Sequence, residues 1–163
     1  SGDVMTYCFN SNEENVLRNG KIMDAVSEAR ERGVLFDLGH GMASFSFPVA
    51  EAAIADGFLP DTISTDQYNQ HLNKRPTHDL PRTMSKLIAA GMSENEVLVR
   101  TTANPAKHLG LAGEIGTLAP GSCADITVIR WNEESSPLQD VNGIQRPGGC
   151  WEPIFTVRAG KIV

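Results

Sequence analysis

Long apolar runs are absent from this sequence. No stretch of its 163 residues stays apolar for the roughly 20 positions a bilayer-spanning helix needs, and no basic-then-apolar leader opens it. A membrane partner is therefore not expected. Cysteine is scarce: Cys8, Cys123 and Cys150 are odd in number and far apart. A disulfide framework or a structural zinc cluster needs close or even-numbered cysteines, so neither is expected, and a reducing cytoplasm is the simple location. Positive charge is in deficit, with 14 Lys and Arg against 20 Asp and Glu and a net charge of -6. That balance disfavours a nucleic-acid backbone or an anionic membrane surface as partner. Internal repeats and low-complexity tracts are also lacking.

What is present is the composition of a soluble globular protein, 40% hydrophobic and 21% charged. The length suffices for one domain, or one and a fraction. Residues 3–9 are β-rich and apolar, as a strand covered on both faces should be. Ile22, Val26 and Ala29 share one helical face, which predicts a helix over 20–33 stopped by Gly33. A second buried strand is expected at 34–39, a helix over 48–56 with Pro48 at its first position, and a third strand at 61–66 ending in Asp66. Strand, helix, strand, helix, strand at such spacing implies parallel βαβ units, with the helices at 21–32 and 48–56 outside. The polar residues Tyr7, Cys8, His40 and Asp66 close the strands, where α/β enzymes carry their chemistry.

After a polar loop over 67–78, Asp79 can cap a helix over 80–90. Ser93 and Glu96 make a capping box for a helix to about residue 100, and Asn104-Pro105 opens another short one. Composition changes after Ile115. Turn-rich stretches there bracket two strand-like runs, 124–130 and 154–163, expected to share one antiparallel sheet with an open edge. The expected division is an α/β part over 1–112 and an all-β part over 113–163.

The run Gly113-Glu114-Ile115-Gly116-Thr117-Leu118-Ala119-Pro120-Gly121, continued by Ala124-Asp125-Ile126-Thr127-Val128, resembles a segment of the urease-like and dihydroorotase-like amidohydrolase superfamily. Gly2-Asp3-Val4-Met5-Thr6, Phe36-Asp37-Leu38-Gly39-His40-Gly41, Thr62-Ile63-Ser64-Thr65-Asp66 and Asp79-Leu80-Pro81 resemble its amidohydrolase/deacetylase branch. The closing Thr156-Val157-Arg158-Ala159-Gly160-Lys161 fits as well, so the resemblance covers nearly the whole chain.

The resemblance implies the C-terminal part of a (β/α)8 TIM-type barrel, strands six to eight, followed by the C-terminal half of a small β-sandwich. It implies hydrolysis of an amide, cyclic amide or acetyl ester by metal-activated water, with zinc or another divalent metal as cofactor and a small-molecule substrate. Asp66 would bind the metal and shuttle the proton; otherwise it caps the turn after a strand. His40 and Gly41 would line the substrate pocket; a hydrogen-bonded core histidine is the alternative.

Tyr7 stands where the family has a metal-binding histidine, and Tyr68 where another histidine is common. A phenol must lose a proton of pKa about 10 to ligate well, so Tyr7 is either a poor ligand or a packed aromatic. The family's remaining metal ligands have no counterpart here and are expected upstream of Ser1. This chain alone is therefore expected to be inactive and to hold no metal tightly. Pairing with such an upstream segment, or homo-oligomerisation, is the expected assembly. A non-catalytic module that binds a partner through open sheet edges is the other reading. His71, His78 and His108 are expected at the solvated surface.

Overall fold

Parallel pairing organises the first part of the chain. The computed structural model describes residues 2–72 and 75–163, so positions 73 and 74 of the polar loop lie outside the described residues. Strand β1 (Val4–Met5) pairs in parallel with β4 (Leu35–Phe36), and a parallel bridge joins Asp37 to Thr62. The ladder continues past these short strands: His40 N donates to Ser64 O at 3.1 Å and Gly41 N to Thr65 O at 3.0 Å. The order 3–8, 34–41, 61–66 is thus parallel throughout, as the βαβ spacing predicts. The third segment remains extended chain without a regular strand. Between the first two lie a hairpin of β2 (Leu17–Arg18) with β3 (Lys21–Ile22) and helix α1 (Asp24–Glu31).

Two expectations fail here. The helix expected from residue 20 starts only at Asp24, because Asn19 and Gly20 turn a hairpin with φ of 53° and 74°. An Asn-Gly pair accepts positive φ at both central positions, which suits the tight turn between twisted strands. The first strand is not covered on both faces either: Val4 and Met5 are 56% and 41% exposed, and burial begins only at Cys8 and Phe9.

Helix α2 (Phe47–Ala55) follows the second parallel segment, with Pro48 in its first turn. It buries Phe47, Ala50 and Ala53 against Phe36, Leu38, Cys8 and Phe9, so the core lies between the strands and the helices. Helix α3 (Leu80–Ala89) is capped by the Asp79 carboxylate, which accepts from Arg82 N at 2.9 Å. Helix α4 (Glu94–Thr101) has the Ser93–Glu96 capping box, and α5 (Ala103–His108) is the last helix among the described residues. The caps of α3 and α4 satisfy backbone donors that a helix start leaves orphaned.

Beyond residue 112 the described structure is β and turn. Strands β5 (Ile126–Asn132), β8 (Cys150–Arg158) and β9 (Lys161–Ile162) form one antiparallel sheet in the order β5-β8-β9. The stretch expected to be only turns holds a further hairpin, β6 (Leu138–Gln139) with β7 (Gln145–Arg146). Leu138 is 1% exposed and joins the α/β core, while the Asp140 carboxylate accepts from Phe47 N at 2.9 Å, at the start of α2. The sheet itself packs on α3, where Trp151 N donates to Ser85 Oγ at 2.8 Å. Among the described residues no helix is long and apolar enough to cross a membrane.

Candidate active site

Strand alternation sorts the polar residues at the ends of the parallel segments into two groups. One face carries Thr6, Asp37, Thr62, Ser64 and Asp66. The Asp37 carboxylate accepts from Thr6 Oγ1 at 2.9 Å, Thr62 Oγ1 at 2.6 Å and Ser64 Oγ at 2.6 Å, and so ties all three segments together. A buried carboxylate needs such donors, and three hydroxyls replace the water it has lost.

At the open end of this face the Tyr7 hydroxyl donates to Asp66 Oδ2 at 3.0 Å. Gly41 stands beside the same carboxylate: a Cβ there would lie 3.0 Å from Asp66 Oδ2. At Gly39 a Cβ would collide with Thr6 Oγ1 and the Tyr7 ring, so these glycines make the room in which phenol and carboxylate meet. Tyr7 and Asp66 have φ of 62° and 47°, left-handed values that side chains other than glycine's rarely adopt. Such strain persists where surrounding structure enforces it, commonly at working sites. The hydrogen bond and charge of Asp66 raise the Tyr7 pKa above its ordinary 10, since a phenolate would face a carboxylate.

The second group lies on the helix side. His40 is 4% exposed, stacks on Phe45 with ring centroids 5.1 Å apart, and meets the His78 ring edge-on at 4.8 Å. Its Nδ1 pairs with Gly41 O and its Nε2 with Lys86 Nζ, each at 2.8 Å. A carbonyl only accepts and an ammonium only donates, so the ring proton sits on Nδ1 and the imidazole is neutral. Burial, followed by the Lys86 charge, pushes its pKa down to about 3, and burial lowers that of Lys86 to about 8. The structure thus brings Tyr7, Gly41 and Asp66 together, and His40 makes its contacts elsewhere.

His71 and His78 depart from the solvated position expected of them. His71 is 3% exposed and stacks on His78 at 4.1 Å, and burial lowers the pKa of the half-buried His78, whose Nε2–H donates to Thr65 O at 2.8 Å. His108 is exposed, as expected. Sequence reasoning also passed over Lys86 and Asp37 as working residues.

The residues of this chain do not by themselves fit a metal centre. Among the described residues no three His, Cys, Asp or Glu side chains gather to hold an ion. At the strand ends the oxygen donors are one carboxylate and one phenol that keeps its proton, where a catalytic zinc typically takes three protein ligands.

Comparison with known proteins fits this geometry. Residues 42–163 match the amidohydrolase family. A deacetylase of Enterococcus faecalis is 39% identical over 99% of this chain, which spans 44% of that protein. A crystal structure of an adenine deaminase superposes with a TM-score of 0.90 at 38% identity, covering all of this chain and 45% of its own. A dihydroorotase structure superposes at 0.82 with 37% identity, over 99% of this chain and 43% of its own. The chain therefore spans less than half the length of the relatives it matches. With an α/β framework and a family match over residues 42–163, the chain belongs to the amidohydrolase family.

Proposed function

We propose that this chain forms the C-terminal portion of a hydrolase that cleaves an amide, cyclic amide or acetyl-ester bond of a small molecule. Residues 1–112 would contribute the last three strands of a (β/α)8 barrel and residues 113–163 part of a composite β-sandwich. The observation that carries the reading is the Asp66 carboxylate at the end of the third parallel segment, held by Tyr7 and given room by Gly41. A carboxylate so placed can take a proton from an attacking water and return it to the leaving nitrogen or oxygen. Gly41 leaves space for substrate beside it, and His40, behind the strand, fixes the Gly41 carbonyl that shapes the pocket wall.

The family reading includes a divalent metal such as zinc that activates the water. The donors described here do not fit such a centre, so the part assigned to this chain is proton transfer by Asp66. The test uses the longest chain in which these residues occur, with N-acetyl, cyclic-amide and acetyl-ester substrates. Asp66→Asn should lower kcat at least about a hundredfold, the scale of a lost general base. A variant that keeps most of its kcat sinks the assignment.

One observation favours a second reading, a module that binds a partner through open sheet edges. Strands β5 and β9 are edges carrying exposed apolar residues, among them Ile126, Val128 and Ile162. Stoichiometric zinc retained by this chain through dialysis against chelator, together with cleavage of an N-acyl or cyclic amide substrate, would exclude a non-catalytic module.

A further inference from the structure

An open pocket of about 350 Å³ lies between α3 and the loop that follows Asp66, and Gly41, the neighbour of the Asp66 carboxylate, forms part of its lining. His40, His71, His78 and Lys86 line it, with Gln139 and Asp140 from the β6–β7 hairpin. Its polar groups are biased in one direction. Tyr68 N donates to His71 Nδ1 at 3.1 Å, so the ring proton of His71 sits on Nε2. That Nε2–H is buried and has no hydrogen-bond partner among the described residues. A buried donor left unmet costs on the order of 1–3 kcal/mol, so an acceptor brought to it would recover that cost. Lys86, 8% exposed, spends one ammonium proton on His40 Nε2 and keeps two.

The acidic group at this cavity is already committed. Asp140 Oδ1 accepts from Asn142 N and Ile144 N, and Oδ2 from Phe47 N. The neighbouring Arg82 guanidinium, turned toward Ser136 and Pro137 O, adds positive charge that helps lower the Lys86 pKa. His71 stacks on His78 at 4.1 Å and His40 meets the His78 ring edge-on at 4.8 Å, so imidazoles form one wall of the pocket. An unmet N–H and an ammonium with protons to spare favour an anionic oxygen group, while Asp140, whose charge still acts on Lys86, has three acceptor positions taken by backbone amides.

We propose that this cavity is an anion subsite, taking a carboxylate or phosphate group between Lys86 Nζ and His71 Nε2–H. It borders the site of the proposed hydrolysis through Gly41 but does not depend on hydrolysis by Asp66. The site is structurally coupled to the strand ends, because His78 holds Thr65 O and His40 holds Gly41 O, the neighbours of Asp66 and its facing wall.

The test is a titration of this chain, labelled with 15N-histidine, with sodium acetate and with inorganic phosphate, against sodium chloride at equal ionic strength. The His71 Nε2 resonance should move saturably at millimolar anion, while that of exposed His108 should not. Lys86→Met should weaken binding about tenfold or more, the scale of a lost charge-assisted contact, and Lys86→Arg should retain most of it. Saturation by acetate alone assigns a carboxylate ligand, and by phosphate alone a phosphate ligand. Either supports the subsite, as does saturation by both. A His71 resonance that moves no more with either anion than with chloride overturns the proposal, whatever the variants do. So does a wild-type affinity that a folded Lys86→Met protein reproduces.

Discussion

Single residues in this chain are held in states their sequence neighbours do not announce. His40 is the clearest case: an imidazole with an ordinary pKa of 6.5 is kept neutral down to about 3 by burial and by Lys86. Its folded pKa lies below its unfolded one, so in that interval the unfolded chain binds the extra proton. Stability from this group is therefore constant above pH 6.5 and falls as pH drops toward 3, by about 1.4 kcal/mol per unit at the steepest. In urea unfolding, wild type should lose about 2 kcal/mol more than His40→Gln between pH 6.5 and pH 5. Parallel pH profiles for the two proteins would show that His40 is not buried as a neutral ring. That Tyr7 and Asp66 meet was legible from the sequence because both close parallel segments. The burial of His71 and Lys86 was not, because it arises from a loop folding across a helix, and no spacing along the chain encodes that contact.

Elements were easiest to read where capping chemistry marks a boundary. Asp79 before α3 and the Ser93–Glu96 box before α4 hold in the structure. Both hairpins were missed although each contains an Asn-Gly pair, Asn19-Gly20 and Asn142-Gly143, the dipeptide that favours positive φ. The second hairpin also works at a distance. Its Asp140 accepts from the Phe47 amide and thereby serves α2 as a cap from 93 residues away, while Arg146 grips Glu51 on the same helix through two hydrogen bonds. A local search for caps finds only Ser46, whose side chain makes no capping bond. Asp140→Ala leaves the buried Phe47 amide, and two less buried ones at Asn142 and Ile144, without their acceptor and should cost about 1–3 kcal/mol. Hydrogen exchange should then quicken first at the amides of Phe47, Asn142 and Ile144. Unchanged protection at Phe47 would show that the cap is made by another group.

For the whole molecule, the change of architecture after the last helix does not by itself imply two independent folding units. Contacts cross that change in several places: Trp151 N to Ser85 Oγ, Arg82 to Ser136 and Pro137, Phe47 to Asp140, and Glu51 to Arg146. Leu138 and Cys150, both from the later part, are buried in the same core cluster as Phe36 and Leu87. Removing the later part would uncover that cluster and orphan the helix start at Phe47, while the three-stranded sheet alone would lose the helix it packs on. Mutual dependence of this kind favours one cooperative transition. The chain carries its own probes for it, since every described α-helix lies before residue 109 and both tryptophans, Trp131 and Trp151, lie in the sheet. Circular dichroism at the helix band and tryptophan fluorescence should therefore report the same urea midpoint and the same slope. A fluorescence transition completed while the helix signal is intact would show that the sheet melts first, with its packing on α3 contributing little. That outcome would also predict that a chain ending near residue 112 keeps its helices, whereas a single coincident transition predicts that such a chain fails to fold.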